Sequence, residues 1–480
     1  MNMGKKSSYL DEEFKSTSDG WRGKIADSFT FELVSKVASA ISQYILSKKV
    51  SKKSILISYD SRFLSKSFAK RMAEVFSSHG IQPLLDRVPL PTPVLSFRVK
   101  QKGFFCGVTV TASHNPYWYN GIKIRMGYGG PPNTEVMDSI TELISSSRPP
   151  VLRSTLSVIS DDPLEGYIRE VRKLLDMDLF RDCSLRILVD SMHGTTAGLL
   201  QKLFSGTGVI INEINNDHDP YFGNVPPEPR AHNTLELQKK VSDCGYDLGV
   251  AHDGDGDRIV GVIPSVGFLS PHDIVAILLW YLVTVKKQKG MVVGSVTLSR
   301  RVARLADYFN LEYREVPVGF RNACQVMRDE KVLIAGEENG GIGFGFYLPE
   351  RDGTVAAALL AEAELKCKGG IREILRQITE IAGPAGFCRL DLKVSYDRES
   401  LIKRLKINPP KGLLGQIVER VDNIDGVKFC LCNGDWVNVR ASGTEDLIRI
   451  YAESNNNKLA SRLVKEMEII IKKIIGGKGC

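Results

Sequence analysis

A hydroxyl, an imidazole and a carboxamide stand side by side at Ser113-His114-Asn115, within the segment Thr111-Ala112-Ser113-His114-Asn115-Pro116. The apolar run Phe104 to Val110 before it has the character of a buried strand, so the serine is presented at a turn where that strand ends. A serine placed in this way belongs to a site rather than to a bland surface loop.

Three further polar loops follow. His252-Asp253-Gly254-Asp255-Gly256-Asp257-Arg258 sets carboxylates at alternate positions, separated by glycines that allow a tight backbone. Such carboxylates converge on one hard cation, and without one they would repel each other. A helix-flanked calcium loop is excluded: its sixth position should be Gly and is Arg258, and its twelfth should be Glu and is Pro264. Mg²⁺ is preferred, because so few protein oxygens leave room for water and a phosphate oxygen. Arg440-Ala441-Ser442-Gly443-Thr444-Glu445-Asp446, with Arg449 beyond it, offers two arginines, two hydroxyls and a glycine that frees backbone N–H groups. It reads either as an oxyanion cradle or as a capping box at a helix start. Gly336-Glu337-Glu338-Asn339-Gly340-Gly341 reads as a plain glycine-rich turn or as acceptors and donors for adjacent sugar hydroxyls.

The elements around these loops alternate. Phe29, Leu33, Val34, Val37, Ile41 and Ile45 fall on one helical face, followed by the strand-like Ser54 to Ser58. A helix from Ser65 to Ser78 stops before Gly80 and leads into a strand from Ile81 to Leu85. The rhythm restarts after Ser145 to Pro150, with strands at Leu185 to Val189, Val209 to Ile214 and Tyr246 to Ala251 and helices at Thr195 to Phe204 and Leu235 to Val241. It restarts again near Ser270, with a helix from Pro271 and strands at Val292 to Thr297 and Val332 to Ala335. Such β/α alternation implies mainly parallel sheet with helical crossovers. After Gly383 strands lengthen and crossovers thin out, ending in an amphipathic helix from Lys458 to Ile475.

With 480 residues the chain is too long for one core. The 43% hydrophobic and 25% charged content are those of an ordinary soluble protein. The longest apolar stretch, Ile274 to Val285, is too short for a membrane span and is expected to be a buried helix. The first residues lack an apolar signal core, so a cytoplasmic location is expected. Nine cysteines without repeating spacing fit reduced thiols rather than disulfides or a zinc knuckle. A net charge of +8 reads either as a solvated surface that happens to be basic or as an aid in steering anionic ligands, and no basic stripe interleaved with aromatics points to nucleic acid.

The ordered set of motifs resembles the α-D-phosphohexomutase family, which includes phosphoglucomutases and phosphomannomutases. The resemblance runs from Ser18-Asp19-Gly20-Trp21-Arg22-Gly23 through Tyr59-Asp60-Ser61-Arg62, the Ser113 loop with Asn120-Gly121-Ile122-Lys123, and Asp190-Ser191-Met192-His193-Gly194. It continues through the aspartate loop, Val318-Gly319-Phe320-Arg321 and the glutamate loop to the Arg440 loop. It implies three related α/β domains with mixed sheets and a smaller C-terminal α+β domain around a central cleft. The expected blocks are 1–155 with the serine loop, 156–264 with the metal loop, 265–384 with the sugar loop and 385–480 with the phosphate loop.

By match to the family's motifs, Ser113 would be the phosphoserine and, with Asp253, Asp255 and Asp257, a ligand of Mg²⁺. Arg22 and Lys123 would lie beside the reacting phosphate, Lys123 as a candidate proton carrier, with His114 as neighbour in the same motif. Glu337 and Asn339 would meet sugar hydroxyls, and Arg321 would belong to the adjoining recognition loop. Arg440, Ser442, Gly443, Thr444 and Arg449 would grip the phosphate that is not transferred. Asn339 stands where the family usually has Ser, Asp446 where Pro is customary, and Thr17-Ser18 where Gly-Thr is usual. Gly341 stands where some members carry His.

The expected activity is interconversion of hexose 1-phosphate and hexose 6-phosphate through a hexose 1,6-bisphosphate, which also serves as activator. Glucose is preferred, mannose phosphates are a further expectation, and the chain is taken as monomer or homodimer. The alternatives are a glucose 1,6-bisphosphate synthase and a phosphosugar-binding protein without turnover.

Overall fold

The computed structural model describes residues 15–17, 19–48, 53–152, 157–158, 162–394, 396–442 and 447–476. Four sheets follow one another along the chain. The first has the lateral order Lys15–Ser16, Gly20–Lys24, Tyr119–Met126, Cys106–Val110, Ser54–Tyr59, Gln82–Leu85, Ser157–Val158. Ser54–Tyr59 is parallel to both of its neighbours, whereas Cys106–Val110 meets Tyr119–Met126 antiparallel. Two five-stranded mixed sheets come next, centred on Leu248–His252 and on Met291–Ser295 with Val332–Gly336. The last sheet is antiparallel, six strands from Gly386–Lys393 to Gly412–Leu413, with the helices Arg398–Ile407 and Asn457–Gly476 packed on it. Three α/β domains with mixed sheets and a smaller α+β domain are therefore present.

Two short strands lie just past the expected block boundaries. Ser157–Val158 pairs with Gln82–Leu85 in the first sheet, and Gly267–Leu269 pairs with Ile259–Ile263 in the second. In both cases a sheet edge continues past the expected boundary.

The apolar run after Ser270 forms the helix Pro271–Thr284, whose start is closed by a capping box between Ser270 and Asp273. It is apolar almost all round because it is covered on both sides. One continuous core joins it to Val250 of the second sheet, Ile334 of the third and Leu359 on the helix Gly353–Lys366. The second and third domains thus form one support for the loops at Asp253 and Glu337. The helix expected from Thr195 to Phe204 is shorter, Leu199–Leu203. Thr195 is drawn off to donate its backbone N–H to Gly254 O at 3.1 Å, and Gly198 turns with φ +72°. Among the described residues no helix is long and apolar enough to cross a membrane.

Candidate active site

The strand Cys106–Val110 ends at Thr111, whose hydroxyl accepts the Ser113 N–H at 2.9 Å and so closes the turn. Arg62, buried and paired with Asp60, donates to Ser113 O and Asn115 O, both at 2.6 Å, and clamps the loop from below. Ser113 is left in the left-handed region, φ +53°, and is almost fully buried. From there its hydroxyl donates to Asp253 Oδ2 at 2.7 Å, a residue 140 positions later. The approach needs glycine at 254, where a Cβ would lie 2.7 Å from Ser113 O. His114 Nδ1 lies 3.4 Å from Ser113 Oγ. Burial, followed by the cations of Arg258, Arg22, Lys123 and Arg230, holds this imidazole well below the usual histidine range, so it is neutral.

Asp253, Asp255 and Asp257 lie between the antiparallel strands Leu248–His252 and Ile259–Ile263, and each offers an oxygen within 4.8 Å of the others. Their outer oxygens are tied back. Asp253 Oδ1 accepts the backbone N–H groups of Asp257 and Arg258 at 3.0 and 3.1 Å. Asp255 Oδ2 accepts from Thr92 and, at 2.6 Å, from Lys123, which also donates to Asp257 Oδ2 at 2.7 Å. Asp255 Oδ1 and Asp257 Oδ1 are buried and take no hydrogen bond from any described residue. Unpartnered buried carboxylate oxygens are costly, and these two belong to the cluster of three acids that stand close enough to share one ion. Burial and the charges of Asp257 and Asp255 push the Asp253 carboxyl well above the usual range. Oxygen donors alone, all acidic, fit a hard divalent cation. Burial pulls the Lys123 ammonium down, but Asp255, Asp257 and Asp19 outweigh it and hold its pKa above the ordinary lysine value.

A cleft of about 500 Å³ is walled by residues of all four sheet domains, among them His114 beside the serine and Arg258 beside the triad. Arg22 lines it and donates to Asn115 Oδ1 at 2.5 Å. Glu337 and Asn339 face the cleft; Glu337 Oε1 accepts from Gly319 N at 2.8 Å, and Asn339 Oδ1 from Gly341 N at 3.0 Å. The glutamate loop is locked to the aspartate loop, since Ile259 N donates to Gly340 O at 3.1 Å. On the far wall Arg440 and Arg449 are direct partners across the antiparallel pair Trp436–Ala441 and Leu447–Ser454. Because the loop runs into a strand, Leu447–Ser454, no helix follows it for a capping box to start. Ser442 is buried at its start and donates its N–H to Leu447 O at 2.9 Å. Gly443, Thr444 and Asp446 lie outside the described residues, as does Ser18. Arg321 is not among the residues lining the cleft; it donates to Thr134 Oγ1 and to Thr17 O, both at 3.1 Å, and joins the third domain to the first.

Four arginines on the cleft wall were not among the expected site residues: Arg230, Arg258, Arg351 and Arg389. Arg258 closes the aspartate motif and was readable there. Arg389 enters by register: Asp391 pairs with Arg449 in the next strand, so Arg389, two residues away, shares that face.

Models of the phosphoglucomutase/phosphomannomutase family match in chain order: α/β/α domain I over 13–150, domain II over 165–265, domain III over 270–381 and the C-terminal domain over 399–470. A phosphoglucosamine/phosphogalactosamine mutase of Sulfurisphaera tokodaii is 30% identical over 96% of this chain and 99% of its own length. A phosphoglucomutase/phosphomannomutase of Thermococcus kodakarensis is 25% identical over 92% and 94%. Among solved structures, a Thermus thermophilus protein described as a phosphomannomutase superposes with a TM-score of 0.85 at 28% identity, covering 96% of this chain and 99% of that one.

Proposed function

The chain belongs to the phosphoglucomutase/phosphomannomutase family of phosphohexose-mutase enzymes, and from that premise we propose that it interconverts hexose 1-phosphate and hexose 6-phosphate through a phosphoserine at Ser113. One observation carries the reading. The Ser113 hydroxyl, on the first domain, touches Asp253 of a buried carboxylate triad on the second, and their chain neighbours His114 and Arg258 line a cleft that Arg440 and Arg449 of the last domain also line.

Phosphoryl transfer is catalysed by positioning and by neutralising charge on the moving group. Asp253, Asp255 and Asp257 would hold Mg²⁺, which when bound supplies part of that neutralisation. Arg22 adds a fixed cation from the cleft wall. Lys123, anchored on Asp255 and Asp257, is the expected proton carrier, and the neutral His114 is a second acceptor 3.4 Å from the Ser113 oxygen. Glu337 and Asn339 orient the sugar through its hydroxyls. Arg440 and Arg449, joined by Ser442, Gly443 and Thr444 of the same loop, grip the second phosphate. The bisphosphate turns end for end and returns its other phosphoryl group to Ser113, which requires a grip indifferent to which end it holds. A trace of hexose 1,6-bisphosphate keeps the serine loaded.

Glucose 1-phosphate is the expected substrate, with mannose 1-phosphate next. A 2-amino hexose phosphate is the second reading, supported by the whole-length similarity to the Sulfurisphaera tokodaii enzyme and by Glu337 and Glu338, carboxylates suited to an ammonium. A coupled assay with Mg²⁺ and glucose 1,6-bisphosphate, run in parallel on glucose, mannose and glucosamine 1-phosphates, ranks the three by kcat/KM. Ser113→Ala is expected to lower turnover by several orders of magnitude. Full activity in that variant, or tight sugar-phosphate binding without turnover in the natural protein, sinks the proposal.

A further inference from the structure

Position 341 carries no side chain, and Arg351 fills the space that one would need. A Cβ on Gly341 would run into Cδ of Arg351, with Cγ 3.1 Å and Glu337 Oε2 3.2 Å away. The two positions are brought together by the hairpin Ile342–Phe344 and Leu348–Arg351, in which Gly343 pairs with Arg351. The buried guanidinium then meets acidic groups from three domains. Its Nη2 donates to Asp257 Oδ2 at 2.7 Å and lies 3.3 Å from Asp19 Oδ2, while Nη1 is 3.7 Å from Glu337 Oε2. Glu350 Oε1 stands 3.6 Å from Nε, and the ring of Phe320 lies 5.4 Å below.

We propose that Arg351 is a positioning residue that couples the aspartate triad to the sugar-facing Glu337, and that glycine at 341 is what allows it to reach both. Asp257 needs one oxygen turned toward its fellow ligands, and Arg351 and Lys123 together occupy the other. Lys123 is a point donor that can follow a rotating carboxylate, whereas a planar guanidinium held by several acids cannot. Partners behind metal ligands set ligand orientation, and losing one costs roughly 10–100-fold in metal affinity or activity. The same fork stands beside Glu337, so disturbance at one end reaches the other. The proposal relies on the reading above only in taking the triad to hold a divalent ion and Glu337 to meet the sugar.

The test is Mn²⁺ binding followed by electron paramagnetic resonance without sugar, together with KM for hexose 1-phosphate. The proteins are the natural chain, Arg351→Lys, Gly341→Ala, Arg351→Ala and the Gly341→Ala/Arg351→Ala double variant, each checked for folding by circular dichroism. Arg351→Lys keeps the charge and removes the fork; it is expected to weaken Mn²⁺ about tenfold and to raise KM. Gly341→Ala is expected to do the same while Arg351 is present and to have a much smaller effect once Arg351 is Ala, since only the milder approach to Glu337 Oε2 at 3.2 Å then remains. Unaltered Mn²⁺ affinity and KM in Arg351→Lys overturn the proposal, as does a Gly341→Ala effect of equal size with and without Arg351. If the natural chain binds no Mn²⁺, the metal reading itself fails and takes this proposal with it.

Discussion

Ser113 holds a left-handed backbone that L-residues with a side chain avoid, at a cost on the order of 1–3 kcal/mol, and it is kept there by the Thr111 turn and the Arg62 clamp. Glycine relieves that strain and alanine does not. Ser113→Gly is therefore expected to be more stable than Ser113→Ala by about 1 kcal/mol, both being inactive, as read by urea or thermal unfolding. Equal stability of the two would mean that the loop relaxes once the hydroxyl is gone. The serine and the three aspartates were legible because each lies in a short contiguous stretch where turn chemistry and functional group coincide. Arg351 and Arg389 were not legible. Their places in the cleft come from a hairpin and from strand register, neither of which leaves a local mark. For Arg321 the motif was readable, but its bonds to Thr134 and Thr17 of another domain were not, since nothing in the local sequence marks them.

At the level of elements, the helix Gly353–Lys366 stands directly behind the aspartate loop. Gly353 donates its N–H to Gly256 O at 3.2 Å, and Asp352 caps the helix by accepting from the N–H groups of Thr354 and Val355, both at 3.0 Å. The Tyr167 hydroxyl donates to both Asp352 oxygens at 2.9 Å. Burial outweighs these bonds and pushes the Asp352 carboxyl up to about 7. The folded chain thus keeps a proton that the unfolded chain releases near pH 4. This contribution to stability is complete below that pH and is lost as pH rises through about 7. Asp352→Asn keeps an oxygen for the cap and cannot ionise, so its melting temperature is expected to fall less between pH 5 and 8 than that of the natural protein. Parallel curves for the two would show that Asp352 is not the titrating group. The cap was missed in the sequence because Asp-Gly reads as a turn, whereas Pro271–Thr284 was readable from its unbroken apolar run.

In the molecule as a whole, the proposed phosphate grip would have to keep a set distance from the proposed sugar loop while it takes either end of the bisphosphate. Asp425, in the turn between Gln416–Asp422 and Val427–Leu431, spans the two domains. Its Oδ2 accepts from Arg440 Nε at 2.9 Å and from Val318 N at 3.0 Å, beside the Gly319 N–H that holds Glu337. A second tie, Lys428 to Glu315 at 2.8 Å and to Val296 O at 2.9 Å, joins the same domains without touching the cleft. Hydrogen bonds to charged groups contribute about 1.5–3 kcal/mol, so freeing Arg440 should weaken the grip by roughly 10–100-fold. Asp425→Ala is therefore expected to raise KM for hexose 1-phosphate by about tenfold or more while kcat falls by a smaller factor, because the serine and the aspartates are untouched. Glu315→Ala loosens the same interface on its outer side and is expected to leave KM within about twofold. Steady-state kinetics on the two variants separate the cases: a KM shift confined to Asp425→Ala assigns the effect to the aligned arginine, and equal shifts assign it to the interface alone.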